Sequence, residues 1–125
     1  FVGILRGLLG HASEADVEEV ERQLERVLGE GERVEQAYRL IRDFFVFTNK
    51  RLILVDKQGL TGKKIEYHSI PYRSIERFSV ETAGHFDLDA ELKIWVRGME
   101  APIEKEFGRN SCVYDVQRAL ATYVL

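Results

Sequence analysis

Cysteine is almost missing: Cys112 stands alone, so no disulfide can close within the chain, and a single thiol on the apolar side of a helical pattern fits a small core residue in a reducing cytoplasm. Long hydrophobic runs are missing too, since no stretch approaches the roughly 20 apolar residues needed to span a bilayer. There is no basic excess. Lys and Arg number 18 against 21 Asp and Glu, a net charge of −3, which argues against non-specific nucleic-acid binding. The usual frameworks of catalysis are absent. His11, His68 and His85 are scattered, no glycine-flanked serine separates a strand from a helix, and no phosphate loop is present, so neither an enzyme nor a cofactor is expected. Internal repeats and low-complexity segments are also lacking, and 125 residues suffice for one domain with one core and no covalent staples.

What is present is a strong regional pattern. Residues 13–36 hold nine acids against three bases, residues 39–77 nine bases against four acids, and residues 78–125 eight acids against five bases. The opening residues 1–12 form an apolar, glycine-interrupted arm, too short to span a membrane and without the basic start of a signal peptide. The single domain then runs over residues 13–125. Val17, Val20, Leu24, Val27 and Leu28 recur at helical spacing, with early acids and late arginines, and predict an amphipathic helix over residues 13–28 with Ser13 as its N-cap and Gly29 as its stop.

The period changes to two within residues 32–107. Val34, Gln36, Tyr38 and Leu40 alternate with Glu35, Ala37, Arg39 and Ile41. Residues 44–57 are two almost wholly apolar runs joined by Thr48-Asn49-Lys50-Arg51, which predicts a hairpin at the centre of the core. Ile65 and Tyr67 alternate with Lys64, Glu66 and His68, and Pro71 predicts a bend because it cannot donate to a ladder. Further strands carry Phe78 and Val80, then Leu92, Ile94 and Val96, then Ile103 and Phe107. A closing helix over residues 111–124 has Val113, Val116, Leu120, Tyr123 and Val124 in one stripe. The expectation is seven antiparallel strands in meander order between two helices, an α+β and mainly β chain.

That order resembles the pleckstrin-homology fold, and in particular the small bacterial pleckstrin-homology-like proteins. The resemblance is carried by Phe45-Val46-Phe47-Thr48-Asn49-Lys50-Arg51-Leu52-Ile53, by Ile65-Glu66-Tyr67-His68-Ser69-Ile70-Pro71-Tyr72 with Ile75, and by Asp87-Leu88-Asp89-Ala90-Glu91-Leu92-Lys93-Ile94-Trp95. It implies a split barrel of two near-orthogonal sheets capped by the final helix. It also implies a non-enzymatic module that forms closed homo-oligomeric rings, pentamers among them, with a polar protein-binding surface where strands of adjacent subunits meet. Eukaryotic domains that bind inositol phosphates carry several basic residues around their first loop. The loop here offers only Arg39 and Arg42, which argues against specific phosphoinositide recognition.

Three residue sets are candidates for function. Lys50, Arg51, Lys57, Lys63 and Lys64 come from strand ends and turns; stacked hairpins would bring some of them to one rim, where with Tyr72 and Arg73 they would attract phosphate or an acidic partner. The competing reading is that charged turns only keep strand edges soluble. His85, Asp87, Asp89 and Glu91 share one parity and offer ligand types suited to a divalent metal, but EF-hand spacing is absent and the alternates Phe86, Leu88 and Ala90 suit a hairpin arm with a solvated side, so no metal is expected. Finally, Trp95 has the opposite parity to Leu92, Ile94 and Val96 and would face outward between Lys93 and Arg97, an interface signature whose alternative is packing beneath the first helix. Phe1, Ile4, Leu5, Leu8 and Leu9 would each cost about 1.5–3 kcal/mol left in water, which a neighbouring subunit or a membrane surface would relieve.

The expected function is therefore a cytoplasmic, non-catalytic, cyclic homo-oligomer that binds another protein. The alternative is a peripheral membrane adaptor in which the arm inserts and basic strand-end residues face anionic lipid.

Overall fold

A computed structural model describes residues 13–14, 16–40, 43–58, 64–82, 89–108 and 112–125. The apolar arm with Phe1, Ile4, Leu5, Leu8 and Leu9, and also Lys63, His85, Asp87 and Ser111, lie outside them. In chain order the elements are β1 (Ser13–Glu14), α1 (Val17–Gln23), β2 (Val34–Arg39), β3 (Asp43–Thr48), β4 (Arg51–Gln58), β5 (Lys64–Pro71), a 3-10 turn (Tyr72–Ser74), β6 (Ile75–Thr82), β7 (Asp89–Val96), β8 (Ile103–Gly108) and α2 (Val113–Val124). Strands β1 to β5 form one antiparallel sheet in sequence order, and β6, β7 and β8 form a second. The added short strand aside, these are the expected seven strands between two helices.

The central hairpin is apolar on both faces because both faces are covered. Phe45 and Phe47 of β3, with Leu52 and Leu54 of β4, point into an inner core shared with Leu92, Ile94 and Phe107 of the second sheet and Val116 and Leu120 of α2. Their alternates Val46, Ile53 and Val55 point the other way, into an outer core with Val20 and Leu24 from α1 and its following turn and with Val34 and Ala37 of β2. A strand buried on both sides loses the apolar–polar alternation of a half-exposed one. The stripe expected on the closing helix is the one that fills the inner core: Val113, Val116, Ala119 and Leu120 are buried, and Tyr123 and Val124 pack at its margin.

Pro71 ends β5, and the 3-10 turn after it carries the chain from the first sheet to the second, so the expected bend is also the crossing point. Two local expectations are corrected. The first helix does not fill residues 13–28. Ser13 and Glu14 pair with Arg39 and Tyr38, and Asp16 caps instead, its carboxylate accepting from the N–H groups of Glu18 and Glu19. At the far end, the Val27 carbonyl accepts from Arg51 and the Gly29 N–H donates to Glu32, so backbone groups that would extend the helix have partners elsewhere. In β2, the register shifts between Val34 and Gln36. That bulge changes the face of everything after it. Val34 and Ala37 consequently share the outer core while Tyr38 and Leu40 enter the inner one.

Candidate functional site

The turn that joins β3 to β4 folds back onto the loop before β2. Arg51 makes a two-pronged ion pair with Glu32, Nε to Oε2 at 2.8 Å and Nη2 to Oε1 at 2.9 Å. The same guanidinium donates to Ser69 Oγ at 2.6 Å and to the Val27 carbonyl at 2.8 Å. Thr48 gives its hydroxyl proton to Glu32 Oε2 at 2.7 Å and accepts from the N–H groups of Lys50 and Arg51. The Glu32 side chain is 2% exposed. Burial alone would raise its carboxyl, but the bonds from Arg51, Gly29 N–H and Thr48 outweigh it and hold the group at about 2. Asn49 completes the clamp. Its N–H donates to the Arg33 carbonyl, its Oδ1 accepts from the Arg33 N–H, and its Nδ2 donates to the carbonyl of Gly31, whose φ of 76° is the left-handed conformation glycine permits.

The candidate basic residues are thus divided. Arg51 is engaged inside the protein, and Lys50 reaches the Glu30 carbonyl at 3.1 Å from an exposed position. Lys57 and Lys64 lie at the opposite end of the β4–β5 hairpin, roughly 20 Å away along the strand. Among the described residues the set is therefore split between two ends, with Lys57 and Lys64 together at one of them. Tyr72 belongs to the clamp end: its hydroxyl donates to the Thr48 carbonyl at 2.6 Å, and its ring stacks on Tyr123 with centroids 4.9 Å apart. Burial, with Tyr123 and Glu35 nearby, raises the Tyr72 hydroxyl well above the usual phenol range. Tyr123 stacks in turn on Phe47 and donates to Glu35 at 2.5 Å; burial and that carboxylate push its hydroxyl up to about 12. Arg73 is exposed on the 3-10 turn.

Trp95 is half-buried on β7, and the cation on its ring is Arg77 of β6, 4.5 Å from the centroid. Lys93 and Arg97, expected to flank it, have acids of their own in Glu91 and Glu76, each at 3.8 Å. Lys105 of β8 reaches across to Asp43 of β3 at 3.2 Å and ties the two sheets together. Asp43 faces Asp56 across the β3–β4 ladder, and burial together with that neighbour raises its carboxyl despite Lys105. Among the described residues no three His, Cys, Asp or Glu side chains form a metal-sized cluster. Nor is any described helix long and apolar enough to cross a membrane.

One surface was not anticipated from the sequence. α1 covers the outer face of the first sheet incompletely, leaving a groove of about 230 Å³ lined by Val20, Leu24, Phe44, Val55, Ile65 and Tyr67. Ile65 and Tyr67 are each 41% exposed. Lys57 stands at the edge, its Nζ 5.6 Å from the Phe44 ring centroid. The signal was the unequal partnering of the alternation in β5, whose apolar residues have too little α1 above them.

Comparison with known proteins agrees with this architecture. The sequence pattern described as bacterial PH domain matches residues 3–124. The uncharacterized protein YjqA of Bacillus subtilis is 58% identical over 121 residues, covering 96% of this chain and 97% of that protein. The crystal structure of a pleckstrin homology domain from Shewanella amazonensis superposes with a TM-score of 0.84 at 52% identity, covering 98% of this chain and 99% of that one. A DUF1696 family protein with a pleckstrin-homology domain from Shewanella loihica gives 0.80 at 51% identity, covering 93% and 99%. With a two-sheet body closed by a terminal helix and a family pattern that runs almost from end to end, the chain belongs to the bacterial PH domain family.

Proposed function

We propose that this chain is a non-catalytic interaction module that assembles with copies of itself into a closed ring and engages another protein through a polar surface at the subunit junctions. The observation that carries the reading is β5. It ends the first sheet, and among the described residues its ladder partner is β4 alone. Seven of its eight residues are exposed or half-exposed, Lys64 and Glu66 among them. An edge strand of this length, with no proline before its final Pro71, is a template for another strand. Pairing it with a different edge of a neighbour is a head-to-tail contact, which generates rings when the rotation closes. Repetition of a weak polar site around such a ring raises avidity for a multivalent partner.

Light scattering at micromolar concentration is expected to give a stable oligomer, and hydrogen exchange to show outward-facing β5 amides protected in the oligomer and unprotected after dilution. A monomer at that concentration overturns the proposal.

A second reading, a peripheral membrane adaptor, is favoured by one juxtaposition: Lys57 and Lys64 lie at the same end of the β4–β5 hairpin as the apolar groove. Cations beside an apolar patch suit an anionic lipid surface. Flotation with vesicles containing phosphatidylserine would then show salt-sensitive binding that weakens in Lys63→Gln/Lys64→Gln. Absence of binding at low salt removes this reading.

A further inference from the structure

We propose that the groove between α1 and β5 is the docking site of the chain's own N-terminal arm, with Leu8 and Leu9 over Phe44 and Ile4 and Leu5 over Tyr67 and Ile65. The proposal goes beyond the reading above and is independent of it, because the arm would occupy a face of the sheet and assembly would use its edge.

Ser13 pairs with Arg39, Arg39 with Phe44, Phe44 with Val55, and Val55 with Tyr67, so these five residues form one row across the sheet. Three of them, Phe44, Val55 and Tyr67, line the groove. Strands lie about 4.8 Å apart, which places Phe44 about 10 Å and Tyr67 about 19 Å from Ser13. Residues 10–12, extended at about 3.3 Å each, span the first of these distances and deliver Leu9 to the near side of the groove.

Chemistry and spacing then match. Phe1, Ile4, Leu5, Leu8 and Leu9 are spaced as one face of a helical pattern, with Gly3, Arg6, Gly7 and Gly10 on the other side. At a rise of about 1.5 Å per residue, the step from Leu9 back to Ile4 is about 8 Å, close to the two strand spacings that separate Phe44 from Tyr67. The groove is apolar apart from Gln23 and Lys57, and it contains no acid to compete for Arg6. Its volume of about 230 Å³ exceeds the roughly 150 Å³ that accepts a benzene ring, so it takes large side chains. Docking there would remove from water both the arm's apolar face and the two most exposed apolar residues of β5.

The test uses paired cysteines in the full chain. Ile65→Cys is combined in turn with Ile4→Cys, Leu5→Cys and Leu8→Cys, with Cys112 left in its buried place. Oxidation is carried out at submicromolar concentration, and links are located by peptide mass spectrometry. At least one pair is expected to close within a chain at least tenfold faster than the same arm cysteine with Glu104→Cys, an exposed position on β8. Chains carrying only an arm cysteine, mixed with chains carrying only Ile65→Cys, are expected to give no link above that control. Equal rates at positions 65 and 104 overturn the proposal, as do links that form only between chains. A monomer that closes the internal link retires the ring and keeps the docked arm; an oligomer without the link does the reverse.

Discussion

The two ends of the β3–β4 hairpin are built from the same strands and treated in opposite ways. At the turn end, every oxygen and nitrogen of the Glu32–Arg51 pair that is turned inward has a partner, and the carboxylate is held ionised. At the other end, Asp43 faces another carboxylate, its protonation is made easier instead of harder, and apolar side chains border an unfilled groove. A saturated cluster has no capacity left for a ligand, so its contribution is rigidity. Open groups are found at the other end.

Breaking the turn end should produce the largest effect. Arg51→Ala strands a buried carboxylate and is expected to cost about 3–5 kcal/mol in chemical denaturation. Next comes its pH signature. Glu32 falls from an ordinary 4.5 to about 2 in the folded protein, so its contribution is complete above about pH 4.5 and is lost as pH drops towards 2. Glu32→Gln should flatten the acid limb of stability against pH by up to about 3 kcal/mol relative to the native chain. A smaller loss is expected for Tyr72→Phe, which forfeits the bond to the Thr48 carbonyl and should lower stability by about 0.5–1.5 kcal/mol.

The open end should respond with the opposite sign. A carboxyl whose folded value is raised retains its proton longer than in the unfolded chain, so the contribution of Asp43 weakens as pH rises. Lys105→Met is expected to move the Asp43 carboxyl further up in an NMR titration; a downward move would show that Lys105 is not its main counter-charge. The smallest effect is expected for Ile65→Lys in a chain lacking residues 1–9, within about 0.5 kcal/mol, because the side chain already meets solvent. A larger loss there would mean that the groove supports the fold.

Much of this architecture was legible because it is written in local spacing. The doubly apolar runs around Phe45 and Ile53, the stripe from Val113 to Leu120 and the proline at the sheet crossing each declare themselves within a few residues. The features that escaped depend on contacts distant in sequence. Arg51 looks like a free turn cation until the loop bearing Glu32, nineteen positions earlier, is laid against it. The bulge near Glu35 reverses a parity that the letters alone continue smoothly. Residues 13–28 have helical spacing throughout, but pairing with β2 takes the first two and the clamp takes the backbone of the last few. The groove is a shortage of cover, and a one-dimensional pattern does not display where a helix stops short of the strand beside it.

The division into two hydrophobic clusters also sets a timetable for synthesis. The outer one draws its buried members from Val20 to Val55, so all of them are synthesised well before α2. The inner one waits for Val116 and Leu120. Until α2 is made, Phe45, Phe47 and Phe107 lack that cover, and transiently exposed apolar surface of this kind is what makes partly folded chains prone to aggregate.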